Sequence, residues 1–176
     1  MIYRQLNNIN EFKLLKDIDR SEIVNEKYIL KNNKIILVKD YYNITSWIDE
    51  EVNEYINRMN DIYNSKGLII GVFDNEKIVG IGALDKNLCG KNKNMYKLDL
   101  LYIHHDYRSL GIGNKIIEIF KEETKKDNIN ALYISATPFK NTIDFYLNLG
   151  AIVTKELDSN LFDLEPEDIH LELNIK

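Results

Sequence analysis

The sequence predicts a mixed α/β (α+β) fold in a single domain over residues 1–176, with helices beside a sheet that contains antiparallel hairpins. Three observations predict it. A length of 176 residues is close to one domain at roughly 150 residues each. Short apolar segments alternate with stretches whose apolar residues recur at helical spacing. Two pairs of apolar segments are separated only by a short polar turn, as in hairpins.

The first half of the chain carries a strand, a helix, a hairpin and a longer helix. Asn32 and Asn33 tolerate the positive φ that a hairpin turn requires. Ser46 is a residue type that caps helix N-termini, and Gly67 is one that ends helices. The predicted elements are a strand over 1–6, a helix over 9–18, a hairpin over 28–30 and 34–38, and a helix over 46–66.

The second half predicts most of the sheet. Thr137 and Pro138 fit the N-cap and first turn of its last helix, or that helix begins at Asn141; in either case Gly150 is suited to end it. The predicted elements are strands over 68–73, 77–84, 96–103 and 131–136, helices over 110–126 and up to 149, and final strands over 152–153 and 170–175.

Composition excludes several classes of protein. With 44% hydrophobic residues, 8 Gly and 2 Pro, the chain is neither collagen-like nor generally disordered. A net charge of −5 argues against a large nucleic-acid surface. The single cysteine, Cys89, cannot form an internal disulfide, and no Cys/His cluster has metal-ligand spacing. Without a secretory signal or an apolar run of about 18 residues, we expect a cytoplasmic protein that binds no membrane, nucleic acid or metal.

One segment carries a chemical signal, at the point where the third strand of the second half leads into a helix through Arg108-Ser109-Leu110-Gly111-Ile112-Gly113. Free backbone N–H groups and the dipole of a helix N-terminus attract an anion. Gly111 and Gly113 would let a phosphate approach the backbone, and Arg108 would contact it or brace the loop. From spacing alone, a glycine-assisted turn that only starts a helix is an equal reading.

This segment, with its flanks, resembles the GNAT-type N-acetyltransferases. Residues 108–113 match their [Q/R]-x-x-G-x-[G/A] motif, residues 101–107 resemble the strand and bulge before it, and residues 141–151 resemble the family's F-Y-x-x-x-G-[F/A] helix and turn. The resemblance covers core motifs over 68–153 and implies a central mixed, mostly antiparallel sheet with splayed strands flanked by helices.

The resemblance implies acetyl-CoA as cosubstrate, with no metal, and direct transfer of the acetyl group to a primary amine. The strand would hold the pantetheine arm and the thioester through its backbone, and the loop would hold the pyrophosphate. Asn141 either contacts CoA or caps its helix. The implied CoA-contacting residues are Leu101, Tyr102, Ile103, Arg108, Ser109, Leu110, Gly111, Ile112, Gly113, Asn114 and Asn141.

Two catalytic residues follow from the same resemblance. Tyr146 matches the family's tyrosine, which protonates the leaving thiolate; the alternative is that it belongs to the core. Asp99 is the best candidate for a general base on the strand, and His104 or His105 is the alternative.

The amine acceptor is not identified by any motif. The resemblance places Asp19 and Glu22 near the connection that forms one wall of the acceptor cleft, where they would attract a cationic amine or simply be solvated. An extra hairpin at about 26–40 would cap the cleft, extend the sheet or pair with another subunit. We expect a monomer or homodimer, and the main alternative function is a non-catalytic acyl-CoA-binding module.

Overall fold

The protein is described from a computed structural model, over residues 1–175. In chain order its elements are β1 (Ile2–Gln5), α1 (Ile9–Phe12), β2 (Glu22–Lys31), β3 (Lys34–Ile44), α2 (Asp49–Asn64), β4 (Leu68–Asp74), β5 (Lys77–Cys89), β6 (Met95–Ile103), α3 (Ile112–Lys126), β7 (Ala131–Ala136), α4 (Lys140–Asn148), β8 (Ile152–Val153), α5 (Ser159–Leu164) and β9 (Ile169–Asn174). Turns of 3₁₀ helix follow α1 at Lys13–Asp17 and β6 at His105–Tyr107. The predicted mixed α/β fold, with a mostly antiparallel sheet and flanking helices, is confirmed.

The chain divides into two compact units. The first contains Met1–Glu22, Ile44–Asn87 and Leu98–Glu122, and the second contains Ile23–Asn43, Leu88–Lys97 and the chain from Glu123 onward. The prediction of a single domain over 1–176 stays a prediction.

In the first unit, the strands neighbour one another in the order β1-β4-β5-β6. β4 pairs antiparallel with β1, from Ile2 opposite Phe73, and with β5, from Leu68 opposite Leu84. One face of α2 closes the core of this unit because its apolar residues recur every three or four positions. The buried residues of that face are Val52, Ile56, Met59 and Ile62.

In the second unit, β9 lies between β7 and β8 and is antiparallel to both. β2 and β3 form a separate two-stranded sheet. Its turn is the predicted one, since Asn32 and Asn33 adopt φ of 51° and 59°. The hairpin is attached to the start of α4: the Tyr28 N–H donates to the Pro138 carbonyl at 2.7 Å, and the Tyr28 hydroxyl donates to Asp144 at 2.7 Å.

Two predicted helix starts were wrong, and one short helix was not predicted. α2 begins at Asp49 after Ile48, not at a Ser46 cap, because the Trp47 indole donates to the Ile18 carbonyl at 2.8 Å and holds the preceding residues outside the helix. α4 begins at Lys140 after Phe139, so neither Thr137 nor Asn141 is its cap. The sequence also did not predict α5, which is only six residues long.

The strands of the hairpin extend beyond the predicted residues, to 22–31 and 34–44. Gly150 ends α4 as expected, with φ of 90°. Within residues 1–175, no helix is both long enough and apolar enough to cross a membrane.

Candidate active site

The predicted strand, loop and helix are present at the end of β6. A 3₁₀ turn at His105–Tyr107 follows the strand, and Ser109 and Gly111 then take φ of 61° and 79° before α3 begins at Ile112. These left-handed residues let the chain reverse sharply into the helix. In α3, Lys115 N–H donates to the Gly111 carbonyl at 3.1 Å. The backbone N–H groups of Ile112, Gly113 and Asn114 therefore have no carbonyl acceptor within the helix.

We call residues 109–114 the anion cradle. Ser109, Leu110 and Gly111 are exposed, and Leu110 is 65% exposed. A Cβ built on Gly111 would meet no protein atom within 4 Å, so the space beside Gly111 is open. N–H groups that lack a carbonyl partner at the positive end of a 15-residue helix, next to an exposed loop, are suited to bind a phosphate.

Arg108 braces this loop. Its guanidinium donates to the Glu22 carboxylate at 3.1 Å, to the Arg20 carbonyl at 2.9 Å and to the Ile103 carbonyl at 3.4 Å. Of the two roles that the sequence left open for Arg108, these contacts favour the brace.

Asp19 and Glu22 both interact with the protein itself. The Asp19 carboxylate accepts the Ser21 N–H at 2.8 Å, and this hydrogen bond lowers the pKa of Asp19. Glu22 forms the ion pair with Arg108. The structure thus brings Glu22 and Arg108, two residues of separate predicted sites, into direct contact.

Next to residues 19–22, three aromatic rings form a cluster that the sequence analysis did not predict. Trp47, Tyr55 and Tyr102 meet edge to face with centroids 4.8–5.6 Å apart. The Tyr102 hydroxyl donates to the Tyr55 hydroxyl at 2.9 Å, and burial raises the pKa of Tyr102 well above its usual value. The guanidinium of Arg20 lies 4.0 Å from the centre of the Trp47 ring, within cation–π range.

Two Arg–carboxylate pairs lie next to the aromatic cluster. Arg20 pairs with Glu51 through two hydrogen bonds of 2.5 and 2.6 Å, and Arg58 pairs with Asp99 at 2.9 Å. On α2, Glu51, Tyr55 and Arg58 follow one another at intervals of four and three residues, while Trp47 lies just before the helix. That spacing, which puts side chains on one helix face, was the signal available in the sequence.

Asp99 is placed on β6 as predicted, and its side chain is only 7% exposed. Its contact with Arg58 means that any base function must work beside a guanidinium. His104 is buried and its Nδ1 accepts the Asp106 N–H at 3.3 Å. His105 is exposed. Its backbone N–H donates to the Asp19 carbonyl at 2.7 Å, and its ring Nδ1 donates to the Ser21 carbonyl at 2.9 Å.

Tyr146 and Asn141 lie on α4 in the second unit. Tyr146 is 7% exposed, and burial raises the pKa of its hydroxyl above the usual value. Among residues 1–175, no protein group hydrogen-bonds that hydroxyl, and its oxygen is not fully shielded from solvent. Asn141 is exposed on the first turn, five residues away, which puts it about 140° around the helix from Tyr146.

A metal centre has no counterpart in the described chain: residues 1–175 contain no group of three or more His, Cys, Asp or Glu side chains placed to hold one ion. The single cysteine, Cys89, is buried, and its thiol contacts the Met95 carbonyl at 3.4 Å.

The sequence matches the family model described as an acetyltransferase (GNAT) domain over residues 32–159. No curated protein sequence matches the chain. Its fold is similar to that of a protein named as a streptothricin acetyltransferase from Bacillus anthracis, solved with acetyl coenzyme A: 22% identity, TM-score 0.74, covering 98% of this chain and 97% of that one.

Two further structures share the fold. One is a nourseothricin acetyltransferase, at 10% identity and TM-score 0.72, with 99% of this chain and 98% of that one covered. The other is an aminoglycoside 6′-N-acetyltransferase solved with coenzyme A, at 15% identity and TM-score 0.64, with 100% and 98% covered.

Proposed function

Because the chain belongs to the GNAT acetyltransferase family, we propose that it transfers the acetyl group of acetyl-CoA directly to a primary amine of a small molecule or a peptide. The observation that carries this proposal is the anion cradle. Its exposed loop, open space at Gly111 and free helical N–H groups suit the diphosphate of a CoA molecule. Acetyl-CoA, when bound, supplies the thioester that the amine attacks.

The backbone of β6 completes the proposed cosubstrate site. Leu101, Tyr102 and Ile103 end the strand directly before the loop, and all three are partly exposed. An N–H of this stretch would hold the thioester oxygen as negative charge develops on it. Backbone groups supply these contacts, so the identity of the side chains matters less than the shape of the strand.

Two side chains would carry out the proton transfers of the reaction. An alkyl amine with a pKa of ~10.4 must lose a proton before it attacks, which costs about 4–5 kcal/mol at pH 7. Asp99, acting through water, is the proposed acceptor of that proton. Tyr146 is the proposed donor to the leaving thiolate, because a phenol is protonated at pH 7 and no group among residues 1–175 hydrogen-bonds its hydroxyl.

We propose a cationic amine as the acceptor. The net charge is −5, and the first two turns of α2, beside Trp47, carry Asp49, Glu50 and Glu54 with exposed side chains. Such a surface attracts cations. The three similar structures are named for streptothricin, nourseothricin and aminoglycosides, so an antibiotic amine of these kinds is the first acceptor to test.

One observation favours the alternative of a non-catalytic acyl-CoA-binding module: Arg58 engages the carboxylate that would serve as base. In that alternative the anion cradle binds CoA and no amine is acetylated. A cytoplasmic location and a monomeric or homodimeric state stay predictions.

The test is thiol release from acetyl-CoA across a panel containing streptothricin, an aminoglycoside, a polyamine and lysine. We expect release that requires one class of amine. Tyr146→Phe should lower kcat about 100-fold, because it removes the proton donor. Tyr96→Phe is the matched control, since Tyr96 is buried to a similar degree, at 9% exposure, in the same unit.

No release with any amine, together with tight acetyl-CoA binding by calorimetry, would support the binding module. A Tyr146→Phe enzyme as fast as the Tyr96→Phe enzyme would remove Tyr146 from the mechanism. Failure to bind acetyl-CoA would overturn the proposed function.

A further inference from the structure

Arg108 lies at the boundary between the anion cradle and the segment 19–22. It directly precedes Ser109, and its guanidinium is committed to Glu22 and to the Arg20 carbonyl, at 3.1 and 2.9 Å. The side chain is 33% exposed, so solvent and a dissolved anion can reach it. A guanidinium forms strong, directional hydrogen bonds with carboxylates and phosphates alike.

The segment 19–22 continues this contact to Trp47. Arg20, whose carbonyl accepts from Arg108, places its own guanidinium 4.0 Å from the centre of the Trp47 ring. Trp47 in turn packs edge to face on Tyr102 at the end of β6, with 4.8 Å between centroids. One chain of direct contacts therefore runs from Arg108 through Arg20 and Trp47 to Tyr102, entirely within the first unit.

We propose that Arg108 couples the occupancy of the anion cradle to the aromatic cluster. A diphosphate in the cradle carries more negative charge than one carboxylate and competes with Glu22 for the guanidinium. When Arg108 turns toward the diphosphate, the segment 19–22 loses two contacts and Arg20 shifts against Trp47. Glu22 and Arg108 are then positioning residues, and Glu22 does not bind the acceptor.

This coupling rests on the proposed function, because it takes the diphosphate of CoA as the anion. The coupling also predicts the direction in which a Glu22 substitution changes the affinity for the anion. Since Glu22 competes with the anion, removing its charge should strengthen anion binding, whereas a brace that only shapes the loop would weaken binding when cut. Linkage makes the effect reciprocal: whatever binds at the aromatic cluster and moves Arg20 also changes the affinity of the cradle.

The test uses 3′-phosphoadenosine 5′-diphosphate, which has the diphosphate of CoA but no pantetheine arm to reach β6. Calorimetry measures its Kd, and fluorescence reports on Trp47, the single tryptophan of the chain. We expect the probe to change Trp47 emission in the wild type. Glu22→Gln should bind the probe about 2- to 5-fold more tightly and lose most of the emission change.

A second variant and a control make the result specific. Arg108→Lys keeps the positive charge but cannot contact Glu22 and the Arg20 carbonyl together, so it should bind the probe without the emission change. Glu11→Gln is the matched control, since it breaks another Arg–Glu pair of the same unit, with Arg4 at 2.5 Å. It should behave as the wild type in both measurements.

An unchanged or weaker affinity in Glu22→Gln would overturn the coupling. So would a full emission change in Arg108→Lys, or binding to the wild type without any change at Trp47. A wild-type protein that binds neither this probe nor acetyl-CoA would instead overturn the proposed function, and the two failures are thus distinguishable.

Discussion

The anion cradle and the segment 19–22 are neighbours in the first unit, yet they use their polar groups differently. In the cradle, the helical N–H groups before Lys115 have no acceptor in the helix and the loop is exposed. In the segment, the carboxylates of Asp19 and Glu22 and the guanidinium of Arg20 all contact other groups of the protein.

The difference separates a surface built to receive a ligand from one built to hold its own shape. Polar groups that already have protein partners gain little from a ligand, because a new contact must replace an old one. A free N–H group has no protein hydrogen bond to give up, so a ligand adds a hydrogen bond there without breaking another. Charged residues near a predicted cleft, such as Asp19 and Glu22, therefore indicate a binding site less reliably than an exposed helix start does.

Among substitutions in the cradle, Gly111→Val is expected to have the largest effect on binding. A β-branched residue at φ of 79° is strained by about 1–2 kcal/mol, so the open loop becomes less populated. We expect the Kd of acetyl-CoA to rise about 5- to 30-fold by calorimetry.

Gly150→Val is the control for that change. Gly150 also has positive φ, at 90°, and a Cβ there would also meet no protein atom within 4 Å. It should lose comparable stability while the Kd of acetyl-CoA stays that of the wild type. Equal losses of affinity in both variants would mean that strain alone, and not the cradle, controls binding.

A smaller effect is expected where polar groups are already paired. Arg58→Gln removes the guanidinium from Asp99, whose side chain is 7% exposed, and we expect the free energy of unfolding to fall by about 1–3 kcal/mol. Denaturant titration measures it. Arg4→Gln, which breaks an exposed pair with Glu11, should cost less than about 1 kcal/mol. Equal losses would show that burial of Asp99 adds nothing to the pair.

The smallest effect is expected at Ser109, which takes φ of 61° without being glycine. Ser109→Gly relieves that strain but also loosens the unfolded chain, so we expect a gain of at most about 1 kcal/mol in unfolding free energy. Chemical denaturation measures this gain. A clear loss would indicate that the serine side chain makes a contact that the loop requires.

Sequence reasoning located the features that depend on a few adjacent residues. The hairpin turn at Asn32 and Asn33 and the helix end at Gly150 follow from which residues tolerate positive φ, and both are confirmed. The helix that follows Gly111 was predicted from its apolar spacing, and α3 runs to Lys126 as expected. Where tertiary contacts decided the boundary, as at Trp47 before α2 and Pro138 before α4, the predicted helix starts were wrong.

The sequence by itself determined the fold class, the family and the position of the anion cradle, because each is encoded by local spacing and by a motif of contiguous residues. Only the tertiary structure decided what the side chains around the cradle do. Arg108 meets Glu22 across 86 positions, and Tyr102 meets Tyr55 across 47. Such pairs leave no periodic pattern in the chain, since they depend on how β6, α2 and the segment 19–22 pack against one another.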